Sequence, residues 1–277
     1  MTIFWYIALR NTKSMTVTEY IKQIQSYEEY SFSWDEILEN CKAPVPTIRK
    51  ELIRLTEKNE VLNLRHGFYI IIPPRYQNLM KLPIHLYVEK LFKTLNKEYY
   101  IGLFSAAAVY GASHQKIQQD YILTVPPALR DIDKGKNKLR FIKTENWPEG
   151  NIIEKKSEAG NYKISSPALT AVDLVQHHSK IGGLNRILAN IEELSQEITK
   201  DDLMQLLSWY PHKSSLQRFG FLIDYLEINN FISDGIFNKL KEDAFYSILL
   251  SPKKGIKAGK TGNRWKVDVN IQLENDL

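Results

Sequence analysis

Residues 33–72 place the tightest constraint on what this chain can become. Ser33-Trp34-Asp35-Glu36 is a capping box, in which the Ser33 hydroxyl and the Glu36 carboxylate satisfy free amides at a helix start. Trp34, Ile37, Leu38 and Cys41 then recur at offsets 0, 3, 4 and 7, which is one apolar face of a helix. Lys42-Ala43-Pro44-Val45-Pro46 ends that helix, because proline clashes with the preceding turn and biases its neighbour toward extended backbone. A second amphipathic segment follows, with Val45, Ile48, Leu52 and Leu55 on its inner face and Thr47, Lys50 and Arg54 on another. Val61-Leu62-Asn63-Leu64, an Arg65-His66-Gly67 corner and Phe68-Tyr69-Ile70-Ile71-Ile72 make a two-stranded hairpin, with Gly67 free to take positive φ. Helix, turn, helix and hairpin in that order read as a winged helix-turn-helix.

Such a module lays its second helix in a DNA groove, so that helix needs a polar or basic outer face while packing fixes the inner one. Thr47, Lys50 and Arg54 meet that requirement, Arg49 sits at the flank, and Arg65 and His66 at the hairpin tip are placed to reach a flanking phosphate or minor groove. Across residues 42–75 seven basic side chains stand against three acids, a balance that suits phosphate neutralisation and counterion release. A module used only for protein contact, its charges a solvated face, is the competing reading. Cys41 falls on the apolar face and reads as a core filler rather than a reactive thiol.

At 277 residues the chain can bury two cores. A net charge of +5 fits a nucleic-acid partner without establishing one. The single cysteine excludes an internal disulfide framework and fits a reducing cytoplasm, the expected location. No run of about 18 apolar residues occurs, so no membrane partner is expected. The apolar start Thr2–Leu9 lacks a basic leader and a small-residue cleavage site, and a helix begins directly after Met15. Two starts stay open, Met1 and Met15; with the second, residues 1–14 are a mis-called or weakly ordered extension.

The expected architecture is α+β: a winged helix-turn-helix over 1–78, then a larger mixed α/β, mostly helical domain over 79–277. Thr16 caps a first helix over 16–26. Pro73-Pro74 stops the second hairpin strand, and a strong helix runs over 84–95, just past a boundary near residue 79. Ser105–Tyr110 is a small-residue helix ended by Gly111, and Tyr121–Val125 is a buried strand. Short strands follow near 139–143 and 161–165, and Ser166-Pro167 opens a helix running to about His178. Helices are expected near 184–195, 201–209, 214–228 and 233–243, then strands at 247–250 and 264–271.

The search for chemistry returns little. No phosphate-binding G-x-x-x-x-G-K-[ST], no G-x-G-x-x-G opening a helix and no G-x-S-x-G nucleophile elbow is present. The six histidines are scattered apart from His177-His178, whose side chains would point about 100° apart on a helix and make a poor chelate. They read as helix-end residues, where an imidazolium suits the dipole. Asp201-Asp202 reads as a helix start. Asp173 stands among apolar neighbours in the Ser166-started helix, as a structural acceptor or a catalytic group, but no second carboxylate at fixed spacing supports acid–base work. No catalytic set, no metal site and no cofactor is expected. Basic loops at 134–143 and 253–266 remain. Lys253, Lys254, Lys257, Lys260, Arg264 and Lys266 of the second are a solvated face, an extension of a DNA footprint, or a surface for an acidic partner. Trp265 among them reads as a strand core residue.

Four stretches, in order, resemble the AbiEi-type antitoxins of bacterial abortive-infection systems. They are the helix-turn-helix with its hairpin ending Gly67-Phe68-Tyr69-Ile70, the run Tyr100-Ile101-Gly102-Leu103-Phe104-Ser105-Ala106-Ala107-Ala108-Val109-Tyr110-Gly111, the helix Ser166-Pro167-Ala168-Leu169-Thr170-Ala171-Val172-Asp173-Leu174, and the late segment from Tyr210 through Arg218-Phe219-Gly220-Phe221-Leu222. The resemblance implies a DNA-binding antitoxin that represses its own operon at inverted repeats. It also implies a C-terminal domain that neutralises a nucleotidyltransferase-like toxin. It supplies no catalytic residues, so the chain is expected not to be an enzyme. The alternatives are a C-terminal enzyme that modifies a toxin or nucleic acid, or a winged-helix transcription factor with no toxin partner.

Overall fold

The computed structural model describes residues 15–113, 118–228, 230–242 and 244–274. Residues 1–14, and with them the expected extension, lie outside the described residues. The chain divides into two compact units, one of Met1–Lys97 with Ile132–Lys138 and Lys156–Tyr162, the other of Glu98–Asp131, Leu139–Lys155 and Lys163–Leu277. Both units mix helices with strands.

The first unit opens with α1 (Val17–Ser26), β1 (Ser31–Ser33), α2 (Trp34–Asn40), α3 (Val45–Glu57), β2 (Val61–Arg65) and β3 (Phe68–Ile71). Capping boxes start α1 and α2: Thr16 with Glu19, and Ser33 with Glu36, each bond in both directions. Strand β1, which the sequence reading did not anticipate, pairs antiparallel with β3, giving a three-stranded sheet in the order β1-β3-β2. Its three residues end on the Ser33 cap itself, too short a run for period-two alternation to register. Gly67 turns the hairpin at φ +74, and its carbonyl accepts from Trp34 N at 2.8 Å, tying the corner to the start of α2. Tyr20, Ile37, Ile48, Leu52, Leu55 and Val61 share one core. Cys41 lies in it, where burial pushes its thiol up to about 11, in keeping with a filler. Two expected core positions differ: Leu38 and Val45 are each 40% exposed. Val45 is the first residue of α3, ahead of the turn that packs.

The unit continues through a short turn, α4 (Pro74–Gln77), to α5 (Val88–Leu95) and includes β6 (Ile132–Lys134). The helix expected over 84–95 is broken in two, because Tyr87 at φ −143 separates a single 3-10 turn at Ile84–Leu86 from α5. The unit also runs past the boundary expected near residue 79. Lys90 of α5 reaches Glu29 at 2.9 Å and Glu36 of α2 at 2.8 Å, which fastens that helix to the preceding elements.

In the second unit β4 (Tyr99–Ile101) lies between β5 (Asp120–Thr124), antiparallel, and β9 (Gly160–Ser165), parallel. With β7 (Asn137–Lys143) and β8 (Ile152–Ser157) the order is β7-β5-β4-β9-β8. Helices α6 (Leu103–Val109), α7 (Pro167–His177), α8 (Leu188–Glu197), α9 (Lys200–Trp209), α10 (Lys213–Tyr225) and α11 (Asn230–Lys241) supply most of its core. Ala106 and Ala107 are fully buried, so the small side chains of α6 allow α6 and α7 to pack closely. A parallel pair, β10 (Ile248–Leu249) and β11 (Val267–Asp268), is all that forms of the two longer strands expected there.

Candidate functional site

In the first unit α3 is held on one side and open on the other. Ile48, Leu52 and Leu55 are buried, while Thr47, Arg49, Lys50 and Arg54 are exposed. Glu51 is the acid nearest these cations in sequence, and it is turned away. Its carboxylate accepts from Thr18 N at 3.0 Å, Thr18 Oγ1 at 2.7 Å and Val17 N at 3.3 Å, filling the free amides at the start of α1. One side chain thus fixes the angle of α3 against α1 and leaves the outer face basic. Arg49 lies over the Trp34 ring, 5.6 Å from its centroid, which orders it at the flank. At the hairpin tip His66 is exposed and Arg65 half-buried. A register shift between Asn63 and Arg65 marks a bulge that reorients the strand end.

In the second unit the three stretches quoted for the family resemblance converge. Asp173 of α7 is buried and accepts a hydrogen bond from Tyr100 Oη of β4 at 2.8 Å. Burial pushes the Asp173 carboxyl up to about 7, with the Tyr100 bond acting against it. Burial, and then the Asp173 charge, raise the phenols of Tyr100 and Tyr210. The Trp147 ring stands 5.5 Å from that of Tyr100, and Trp209 and His212 flank Tyr210 at 5.5 and 5.7 Å. An aromatic shell therefore encloses one carboxyl held by one phenol, the geometry of a structural acceptor. Sequence reading singled out Asp173 and missed both tyrosines. The available signal was that a carboxyl inside an apolar helix requires a donor.

His177 and His178 end α7, as expected, but not as imidazolium ions. Burial lowers both, His177 to about 4, so they are neutral near pH 7 and add nothing to the helix-dipole interaction. Asp202 does more than open α9. Its Oδ1 accepts from Asn151 Nδ2 at 2.7 Å and its Oδ2 from Ala168 N at 2.8 Å, while Thr199 is the cap.

The six cations of the late basic loop do not form one surface. Arg264 bonds both carboxylate oxygens of Asp224 at 2.8 Å and reaches Asp234 at 3.0 Å. Lys266 Nζ donates to the Phe245 carbonyl at 2.9 Å. Lys253, Lys254, Lys257 and Lys260 remain exposed. Trp265 is buried as expected, though in a turn ahead of β11 rather than in a strand, and its Nε1 donates to Asp224 at 2.6 Å. Among the described residues, no group of three or more His, Cys, Asp or Glu could hold a metal ion, and no helix is long and apolar enough to cross a membrane.

Residues 100–225 match the family described as AbiEi antitoxin C-terminal domain. The whole fold is similar to the crystal structure of the RV2827C protein from Mycobacterium tuberculosis. The TM-score is 0.60 at 12% identity over 92% of each chain, a likeness of fold alone. A comparison with curated proteins gives no match.

Proposed function

We propose, from the match of residues 100–225 to the AbiEi antitoxin C-terminal domain, that this chain is an antitoxin that binds double-stranded DNA and represses its own operon. In this reading residues 15–72 are a winged helix-turn-helix, with α3 in the major groove and the β2–β3 hairpin as the wing. The carrying observation is the outer face of α3, where Thr47, Lys50 and Arg54 are exposed opposite a locked apolar stripe and the neighbouring acid Glu51 is occupied at α1. Arg49, Arg65 and His66 supply flanking contacts to phosphates or the minor groove of operator inverted repeats. Lys253, Lys254, Lys257 and Lys260 form a second positive surface that extends the footprint. The antitoxin domain counteracts a nucleotidyltransferase-like toxin in the cytoplasm, and the reading assigns no reaction to the chain itself.

Gel shifts of the full chain on its own promoter and on scrambled DNA, at several salt concentrations, test this. Arg54→Ala should weaken promoter binding by about 1–3 kcal/mol if the guanidinium reads a base edge. Lys50→Ala, if that side chain meets a phosphate, should weaken both duplexes alike and flatten the salt slope by about 1. Equal affinity of the wild type for the two duplexes would reject a specific repressor. Co-expression with a nucleotidyltransferase-like toxin tests the second half: growth should be restored by the full chain.

A further inference from the structure

One side chain on α3 fits neither the core nor the cationic face. Ile53 is 57% exposed, although Ile48, Leu52 and Leu55 already complete the buried stripe. A singly exposed aliphatic residue is ordinary on a protein surface; its position is what matters. It follows Arg49 by four residues and Lys50 by three, so it projects beside those two cations on the outer side of α3, with Arg54 about 100° further round. Its branched Cβ restricts χ1, which holds the methyl groups in place without further ordering. In the major groove the distinctive apolar group is the C5-methyl of thymine.

We propose that Ile53 reads a thymine C5-methyl in each half-site of the operator, making it a specificity residue beside Lys50 and Arg54. This rests on the DNA-binding reading above. The full chain is used to enrich duplexes from a random library, and the enriched duplex is resynthesised with uracil replacing each thymine in turn, which removes only the methyl group. One position per half-site should lose affinity by about threefold to tenfold, the scale of one buried methyl or methylene. Ile53→Ala should bind the thymine and uracil duplexes equally, and Ile53→Val should keep most of the discrimination. An enriched duplex whose thymines can all become uracil without loss overturns the assignment while leaving DNA binding intact. So does a uracil penalty that persists in Ile53→Ala. A DNA-independent dimer weakened by Ile53→Ala would also overturn it, placing the side chain in a contact between copies. Failure to enrich any duplex removes the DNA reading and this inference together.

Discussion

Asp173 and His177 sit one helical turn apart on α7, and burial drives both toward their neutral forms. Their effects on stability have opposite signs. The Asp173 carboxyl is raised to about 7 in the folded chain from 3.8, so its contribution is complete below about pH 4 and is lost as pH rises through 7. His177 is lowered to about 4 from 6.5, so its contribution is complete above 6.5 and is lost as pH falls through 4. Relative to wild type, Asp173→Asn should therefore gain thermal stability as pH rises from about 4 to 7. His177→Gln should gain as pH falls from 6.5 to 4. Thermal melts of the two variants across that range check both signs, and parallel curves for wild type and Asp173→Asn would show that Asp173 is not held neutral. Asp173 was conspicuous in the sequence because it interrupts an apolar run. Its partner Tyr100 was not, because 73 residues separate them and nothing local to either specifies the pairing.

Whole elements were legible where the signal was local. The α2 capping box, the break after Cys41, the Gly67 corner and the Ser166-Pro167 helix start each depend on residues within one turn of one another. Elements were missed where long-range pairing decides them: β1 exists because β3 lies beside it, and the late strands shorten to two residues each. Helix α10 shows how a legible motif acquires its meaning from distant chain. In Arg218-Phe219-Gly220-Phe221-Leu222, Arg218 Nε donates to the carbonyls of Leu249 and Leu250, both at 3.0 Å, and Phe219 is buried. Gly220 is the seat for Trp265, since a Cβ there would stand 2.1 Å from the indole Cη2. The Trp265 carbonyl also accepts from Gln217 Nε2 at 2.9 Å, so one face of α10 fixes the C-terminal segment. Gly220→Ala should then cost about 1–3 kcal/mol through overpacking. Adding Trp265→Leu should recover part of that loss, although Trp265→Leu alone destabilises. Urea unfolding of the three variants checks the coupling; strictly additive losses would mean that the helix and the indole do not compete for the same space.

At the scale of the molecule, positive charge is concentrated rather than spread. Residues 42–75 carry seven basic side chains against three acids, and residues 253–260 hold four lysines and no acid. Together these segments exceed the net charge of +5, so the remainder of the chain is net acidic. A polyanion therefore meets two attractive surfaces on a background that repels it, which favours defined contacts over uniform adhesion. The two surfaces should contribute differently. The α3 cations sit on a helix fixed by a buried stripe, so under the DNA-binding proposal Arg54 is the one expected to discriminate among sequences. The four lysines lie outside regular structure, so under the same proposal they would act as point charges toward phosphate, with no fixed geometry for reading a base edge. Replacing Lys253, Lys254, Lys257 and Lys260 together with glutamate should lower affinity for promoter and scrambled duplex by the same factor. The slope of log affinity against log salt should become shallower by about 0.9 for each phosphate that is no longer neutralised. Promoter preference should survive in that variant and shrink in Arg54→Ala. Titrations of both variants on both duplexes from low to moderate salt make the comparison. An unchanged slope in the glutamate variant would return those lysines to a solvated face and leave α3 with the hairpin as the whole of the DNA surface.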